Sequence, residues 1–520
     1  MRRWRPLSRF GMVAACTLGS LAVLPSLVPR AGLIQGLLLG SCAAIGYLLG
    51  TLLGLRWQAT ARRRDLWWLV LPLFALAVGR RWQADLAQVT GTSPPAWSWI
   101  LVALLAALVV FVIWLALARA IRWLTQRLGG LLGRVLPHRL AAVTAVTVTA
   151  VVVIVGVMRL PNILVSVLHP LFSAQNAHSD LPAPTSRYLS GGPTSTLPWQ
   201  DLGAQGQQFV AGVTPTPQIE RFNSRAALAP IRAFVGVESA PTDEQRAALA
   251  VAELERLGAF QRAVIAVGTS AGSGTVDSGE VTPIEYMLNG NVATVSTQYS
   301  LLPSFLSFLV DQPNAVHAAQ TLLTAIQRRA AQEARPPRIV VFGESLGAYG
   351  SSSAFPDLQA VLAGTDGAMW QGPPNSSPLW RTYTAARDKG SPQVQPVFDQ
   401  GRHLRWANQP SALNLSARWD RPRVVFLQNA SDPVVWWSPS TLIIRPDWLA
   451  EPRGPGVLPW VPWLPVITFA GLTADMINSQ GVPAGHGHVY GTDPVHAWAA
   501  ILQPPGWTDE DTARLAQDGG

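Results

Sequence analysis

An apolar run that leads directly into Gly-x-Ser-x-Gly restricts the fold of this chain more than any other feature. Residues 338–342 read as a buried strand, the next five read Gly-Glu-Ser-Leu-Gly, and a helical pattern continues to about Leu362. A serine on such a tight strand-to-helix turn takes a strained backbone geometry, which flanking glycines allow, and its hydroxyl stands clear of the sheet. Ser345 is therefore the candidate nucleophile.

A second Gly-x-Ser-x-Gly competes for this role, because Ser270 also follows a strand-like run, at residues 263–267. With 44 glycines in 520 residues the bare pattern has little weight, so the context has to decide. Ser270 is followed by a Ser/Gly-rich loop without helical periodicity, which is not the strand–turn–helix context that the motif requires. The context favours Ser345.

A serine nucleophile needs a histidine to accept its proton and a carboxylate to orient that histidine. In the strand–turn–helix arrangement the chain order is serine, acid, histidine. Asp432 lies in a turn just after the apolar run 423–427, where the acid is expected, although Asp-Pro is also an ordinary turn former. His486 and His488 follow in a glycine-rich loop. We favour His488 and keep His486 as second choice, because spacing alone does not separate the two histidines.

The anion formed by serine attack needs fixed N–H donors, one of them from the residue after the nucleophile. Leu346 has that position, and Thr269 or Ser270 in the glycine-rich stretch is the natural second donor. The alternative for that stretch is an ordinary flexible turn.

The sequence predicts no cofactor and no metal. It contains no phosphate-binding glycine loop of nucleotide type. His486, His488 and Asp432 could together bind zinc, but no further His or Cys clusters near them and such a site would leave the serine turn unexplained.

Charge divides the chain into two parts. Residues 1–160 contain 17 arginines against two aspartates, about +15, whereas the remainder is near −6, so the overall +9 belongs to the first third. These arginines punctuate apolar runs and form no basic stripe, which argues against nucleic-acid binding. Both cysteines, Cys16 and Cys42, lie in this first part, so a disulfide framework is excluded for the second.

The apolar runs of the first part are predicted membrane spans, because most are near the length of about 20 residues that crosses a bilayer. The alternatives are a helical core and, for the first run, a cleavable signal. The third run is the shortest. The predicted spans are Phe10–Val28, Ala31–Leu55, Leu66–Gly79, Trp97–Ala118 and Ala141–Val157.

Arginines concentrate before the first, after the second and after the fourth predicted span. Since arginines resist translocation, this predicts an inside amino terminus, and five crossings then place the carboxyl-terminal domain outside the cell membrane. If the third run does not cross, that domain is cytoplasmic.

Four segments are predicted. Residues 1–160 are a multi-pass membrane domain, 161–217 a Pro/Gly/Ser-rich linker, 218–506 a catalytic domain and 507–520 a polar tail. Within 218–506 strand-like and helical stretches alternate, and Pro465–Ala470 reads as a possible last strand. Such alternation predicts a doubly wound, mostly parallel sheet with helices on both faces, the α/β-hydrolase type of α/β domain.

Several sequence blocks resemble one family, the membrane-anchored α/β-hydrolases of actinobacteria, formerly a domain of unknown function. They include the serine turn, Gln371-Gly372-Pro373-Pro374-Asn375, Ala430–Trp437 and Gly485–His488. The resemblance covers nearly the whole chain. It implies that Ser345, Asp432 and a histidine of the last block form a catalytic triad.

The sequence therefore predicts a membrane-anchored serine hydrolase that acts on a small-molecule or lipid ester through an acyl-enzyme. A cell-envelope acyltransferase with the same triad is an alternative, because an alcohol can replace water as the acceptor. A binding or scaffold protein that kept the fold and lost activity is another.

Overall fold

The computed structural model describes residues 7–54, 60–177 and 179–518. The arginines at positions 2, 3, 5 and 56, which enter the orientation argument, lie outside these ranges. The chain divides into two compact units, the first formed by Met1–Leu160 and Trp437–Gly487 and the second by Pro161–Trp436 and His488–Gly520. The first unit, called the helical unit below, therefore includes a late segment of the sequence, Trp437–Gly487. The second is called the hydrolase unit.

The helices and strands are named here in chain order. The helices are α1 (Arg9–Leu21), α2 (Gly32–Leu53), α3 (Val70–Val89), α4 (Ser98–Leu132), α5 (His138–Ala177), α6 (Gly203–Ala211), α7 (Thr216–Asn223), α8 (Asp243–Leu257), α9 (Ser278–Met287), α10 (Ser304–Val310), α11 (Gln312–Ala330), α12 (Leu346–Ser353), α13 (Leu358–Gly364), α14 (Pro378–Ala385), α15 (Pro433–Trp436), α16 (Asp447–Ala450), α17 (Ile467–Ile477), α18 (Asp493–Leu502) and α19 (Asp509–Asp518). The strands are β1 (Ile231–Val235), β2 (Val264–Gly268), β3 (Val292–Thr297), β4 (Arg338–Glu344), β5 (Gly367–Gln371), β6 (Leu404–Ala407) and β7 (Arg423–Leu427).

Among the described residues, three helices are long and apolar enough to cross a membrane: α2, α4 and α5. Five helices lie where the five spans were predicted, but two of them do not meet this standard. α1 has only 13 residues, because Pro25 follows closely and disfavours helical geometry before it. α3 carries Arg80, Arg81 and Asp85 in its second half.

A buried polar network holds the late segment within the helical unit. The Arg30 Nε donates to Asp475 Oδ1 of α17 at 2.7 Å, and both side chains are fully buried. Asp475 Oδ2 accepts the Leu27 backbone N–H at 2.8 Å, and Asn478 Nδ2 donates to the Pro29 carbonyl at 2.7 Å. Burying a charge is costly unless it is paired and hydrogen-bonded, and this network supplies both compensations.

The second unit is built on a seven-stranded sheet with every strand pair parallel, in the order β1-β3-β2-β4-β5-β7-β6. The strands are almost entirely buried, as expected for a parallel sheet covered on both faces. The predicted fold class is confirmed. β4 stands in the middle of the order, so its carboxyl end opens at the centre of the sheet edge where such folds carry their sites.

The structure differs from the sequence analysis at three places. The run Pro465–Ala470 is not a strand, because Ile467 begins the helix α17, whose apolar residues pack against α1 and α2. The edge strand β6 was not predicted; it has only four residues and includes the buried Arg405. The predicted linker 161–217 contains the end of α5, all of α6 and the start of α7, with apolar residues such as Phe209 buried.

Candidate active site

Ser345 occupies the turn between β4 and α12. Its backbone has φ 54° and ψ −118°, a region that L-residues avoid. A Cβ on Gly343 would lie 2.6 Å from the Gly347 carbonyl carbon, and one on Gly347 would lie 2.2 Å from the Thr269 carbonyl oxygen. Both positions therefore require glycine, and the two glycines together allow the strained turn.

Ser270, the competing serine, has an ordinary structural role. Its side chain is fully buried, and its Oγ donates to the Thr297 carbonyl oxygen at 2.9 Å. Ser345 is half-buried, and within the described chain its hydroxyl makes no hydrogen bond. Of the two serines, only Ser345 stands on the strained turn between a strand and a helix.

Asp432 and His488 are in direct contact. His488 Nδ1 lies 2.7 Å from Asp432 Oδ2, and both side chains are buried. The Val434 N–H donates to Asp432 Oδ1 at 2.8 Å, which fixes the carboxylate at the start of α15. An N–H at Nδ1 that is held by a carboxylate leaves Nε2 as the basic nitrogen, and in the described residues Nε2 has no hydrogen-bond partner.

Gly372 makes room for this imidazole. Its φ is +54°, and a Cβ there would lie 2.4 Å from His488 Cε1 and 2.8 Å from Nδ1. The position in the Gln371-Gly372-Pro373 block therefore requires glycine, because the backbone after β5 forms one wall of the pocket that holds the His488 ring.

His486 does not share this environment. It is partly exposed, and among the described residues its Nδ1 has no partner. Burial lowers the pKa of His486, and no nearby carboxylate counters that effect. Of the two histidines considered from sequence, the structure brings only His488 to Asp432.

Tyr490 is a residue of this site that sequence reasoning missed. Its hydroxyl donates to Asp432 Oδ2 at 2.6 Å, next to the histidine. Burial, reinforced by the charge of Asp432, raises the pKa of Tyr490 well above its ordinary value, so the phenol remains a donor. The available signal was the alternation His488-Val489-Tyr490, because side chains two apart in an extended segment point to the same side.

Two N–H groups are free near the serine turn. Among the described residues, neither the Leu346 nor the Ser270 backbone N–H has an acceptor. The Thr269 N–H donates to the Phe342 carbonyl oxygen at 3.0 Å, so Thr269 is not available as an oxyanion donor. Of the two residues predicted for the second donor, only Ser270 remains.

No group of three or more His, Cys, Asp or Glu side chains within the described ranges is arranged to hold a metal ion.

An all-parallel sheet with a strained serine turn at its centre defines a protein of the α/β-hydrolase fold. The chain belongs to an alpha/beta-hydrolase family, because a family model with that description, "Alpha/beta-hydrolase family", matches residues 231–515. A second model, described as "Alpha/beta-hydrolase family N-terminus", matches residues 23–213. No curated protein and no solved structure matches the chain. The predicted resemblance is thus confirmed at the level of the α/β-hydrolase family.

Proposed function

We propose that this protein is a membrane-anchored serine hydrolase that cleaves an ester, of the lipid or acyl class, through a Ser345–His488–Asp432 triad. The observation that carries the proposal is the 2.7 Å contact between His488 Nδ1 and Asp432 Oδ2, in the unit that also presents Ser345 on a strained turn. An imidazole oriented by a carboxylate is the kind of base that activates a hydroxyl nucleophile such as Ser345.

The proposed reaction has two halves. Ser345 Oγ attacks the ester carbonyl while its proton passes to His488 Nε2, and the oxyanion accepts hydrogen bonds from the Leu346 and Ser270 N–H groups. The intermediate collapses to an acyl-enzyme as the imidazolium gives its proton to the departing alcohol. Water, deprotonated by His488, then releases the acid and restores Ser345.

A fluorophosphonate probe tests the proposal, because it reacts only with an activated serine. We expect the full chain in detergent to be labelled, Ser345→Ala to abolish labelling, and Asp432→Asn to reduce it by about 10⁴-fold because the imidazole takes the wrong tautomer. Ser270→Ala is the matched control: it keeps the backbone N–H and should still be labelled. Labelling of Ser345→Ala would place the activated serine elsewhere in the chain, whereas no labelling of the wild type would favour a binding protein. Either result would refute the proposed mechanism.

We also propose that the chain crosses the cell membrane several times and holds the hydrolase domain on the extracytoplasmic side. The support is the sequence bias of arginines together with the three long apolar helices. Three crossings and five crossings both separate the two chain ends across the bilayer.

The single lysine of the chain makes the orientation testable. Lys389 belongs to the hydrolase unit and is exposed. A membrane-impermeant amine reagent should label it on intact cells, and Lys389→Arg should remove that label. Labelling that appears only after the cells are permeabilised would place the domain in the cytoplasm.

A further inference from the structure

Glu344, the residue before the candidate nucleophile, lies near Nε2 of His488, the ring nitrogen that does not contact Asp432. Glu344 ends β4, and its Oε1 lies 3.9 Å from His488 Nε2. That distance is too long for a hydrogen bond, but two charges at this separation still interact strongly. The imidazole therefore has a carboxylate beside each nitrogen, with Asp432 at Nδ1 and Glu344 at Nε2.

The other groups around this pair are acidic or neutral. Asp277, the N-cap of α9, accepts a hydrogen bond from Gln371 Nε2 at 3.4 Å, and its charge acts on both Glu344 and His488. Glu280 is fully buried on α9, and burial, reinforced by the charges of Glu344 and Asp277, raises its pKa well above the ordinary value, which favours the neutral carboxyl group. Tyr490, as described above, is a neutral donor. His488 is thus the positive partner that these carboxylates face.

We propose that Glu344 is a positioning residue of this active site, whose carboxylate holds His488 as an imidazolium and so moves the reactivity of Ser345 to higher pH. The inference rests on the proposed serine-hydrolase function. It assigns a role to the variable position of the Gly-x-Ser-x-Gly turn, which the triad alone leaves without one.

The pKa directions agree with this geometry. Burial by itself lowers the pKa of His488, but the charge and hydrogen bond of Asp432 and the charges of Glu344 and Asp277 more than offset it and raise the pKa to about 9. Burial raises the pKa of Glu344 to about 7, and the charge of His488 opposes that rise. Between these values both members of the pair are charged, and the base form of His488 is scarce.

The same carboxylate has a second, opposite effect. Serine attack converts the imidazole into an imidazolium, and a negative charge near Nε2 stabilises that product of the proton transfer. Replacing Glu344 by an uncharged isostere should therefore lower the pH at which reactivity appears and also lower the maximum rate reached. A purely structural role would change the rate without moving the pH midpoint.

The test is the pH dependence of fluorophosphonate labelling, measured as a second-order rate constant on the full chain in detergent. We expect the wild-type rate to rise with pH to a midpoint near 9. Glu344→Gln should shift that midpoint downward by about one to three pH units. Glu280→Gln is the matched control: because burial favours the neutral form of Glu280, the midpoint of this variant should equal that of the wild type.

Two results would overturn the inference. One is a wild-type midpoint at the ordinary histidine value of about 6.5. The other is a Glu344→Gln midpoint equal to that of the wild type. If Glu344→Gln does not fold, Glu344→Asp serves as a second variant: its shorter side chain withdraws the carboxylate from Nε2 and should shift the midpoint in the same direction by a smaller amount, and an unchanged midpoint counts against the proposal.

A second measurement separates this inference from the proposed function. In Ser345→Ala protein with isotope-labelled histidine, the Cε1–H signal of His488 reports the imidazole titration without any need for reactivity. A raised His488 pKa that falls in the Glu344→Gln background supports the role of Glu344 even if no probe labels the wild type. Absence of labelling at every pH would refute the hydrolase alone; an unperturbed His488 titration would refute the role of Glu344 alone.

Discussion

At the scale of single residues, the site depends on where side chains are missing as much as on where they are present. Gly343 and Gly347 allow the serine turn, and Gly372 leaves the volume that the His488 ring occupies. The hydrogen-bond donors around Asp432 have defined places: Asp432 accepts from His488 and Tyr490 on one oxygen and from Val434 on the other. Small steric changes at these glycines should therefore lower the reactivity of Ser345.

Gly372→Ala tests this directly. The added methyl would lie 2.4 Å from His488 Cε1, so the ring must move away from Asp432. A displacement of about 1 Å can cost about 100-fold in rate, and we expect fluorophosphonate labelling to fall by at least that factor. Gly390→Ala is the control, because Gly390 also has a positive φ but a Cβ there would meet nothing within 4 Å. Equal labelling of the two variants would contradict the steric explanation.

At the scale of elements, the start of α12 has to approach the loop after β2 very closely. Gly347 makes that approach possible, since any Cβ would meet the Thr269 carbonyl oxygen at 2.2 Å. The contact brings the Ser270 and Leu346 segments side by side, which is what a pair of oxyanion donors requires.

Gly347→Ala should therefore destabilise the hydrolase unit by about 1–3 kcal/mol, the usual cost of overpacking, and reduce labelling of Ser345. Gly364→Ala provides the comparison. Its Cβ would meet the nearest side chain at 3.4 Å, an ordinary contact, so its stability should be unchanged. Thermal unfolding of both variants, with labelling measured below the transition, checks the prediction. A Gly347→Ala variant as stable as the wild type would show that the loop after β2 moves enough to accommodate the added methyl group.

The sequence predicted those elements whose local pattern and tertiary environment agree. The strands β2, β3, β4 and β7 are buried except at some of their end residues and read as short apolar runs, and the turn glycines marked Ser345. β6 was missed because Arg405 interrupts its apolar character. The Arg405 guanidinium donates to the carbonyl oxygens of Leu413 and Ala417 in the irregular segment after β6, a contact that no local pattern indicates. The α17 segment was misassigned since its partners are residues of α1 and α2, more than 400 positions away.

The same limit applies to the site. Asp432 and the histidine loop could be predicted because chain order and turn position are local properties. The contact of His488 with Asp432, the hydroxyl of Tyr490 and the proximity of Glu344 to Nε2 depend on how β4, β7 and the last loop meet in space. No spacing rule contains that information.

The buried Arg30–Asp475 pair links α17 to the segment between α1 and α2. Removing one partner leaves an uncompensated buried charge, so Asp475→Ala should destabilise the helical unit by about 3–5 kcal/mol. Asp511→Ala is a suitable control, because its pair with Arg514 is partly exposed and pairs that water reaches contribute little. Thermal unfolding in detergent distinguishes the two, and similar transition temperatures would show that α17 is held by its apolar contacts alone.

At the scale of the whole molecule, the two units interleave in sequence. The segment Trp437–Gly487 lies between Asp432 and His488 in the chain, yet it folds with Met1–Leu160. Its α17 packs Ile467 and Ala474 against α1 and α2, and Asp475 pairs with Arg30. The residues that the family model matches, 231–515, therefore include the segment Trp437–Gly487, which belongs to the unit of Met1–Leu160.

Deletion of residues 1–160 should for this reason leave a chain that is incompletely folded between residues 437 and 487. Without their partners, α17 would expose its apolar face and Asp475 would lose its counter-charge, a combination that favours local unfolding. We expect limited proteolysis to cut the truncated chain within 437–487 under conditions in which the full chain in detergent resists. We also expect labelling of Ser345 to fall, because His488 directly follows that segment. A truncated chain that is labelled and resists protease as the full chain does would show that the hydrolase unit needs neither the helices nor their hold on α17.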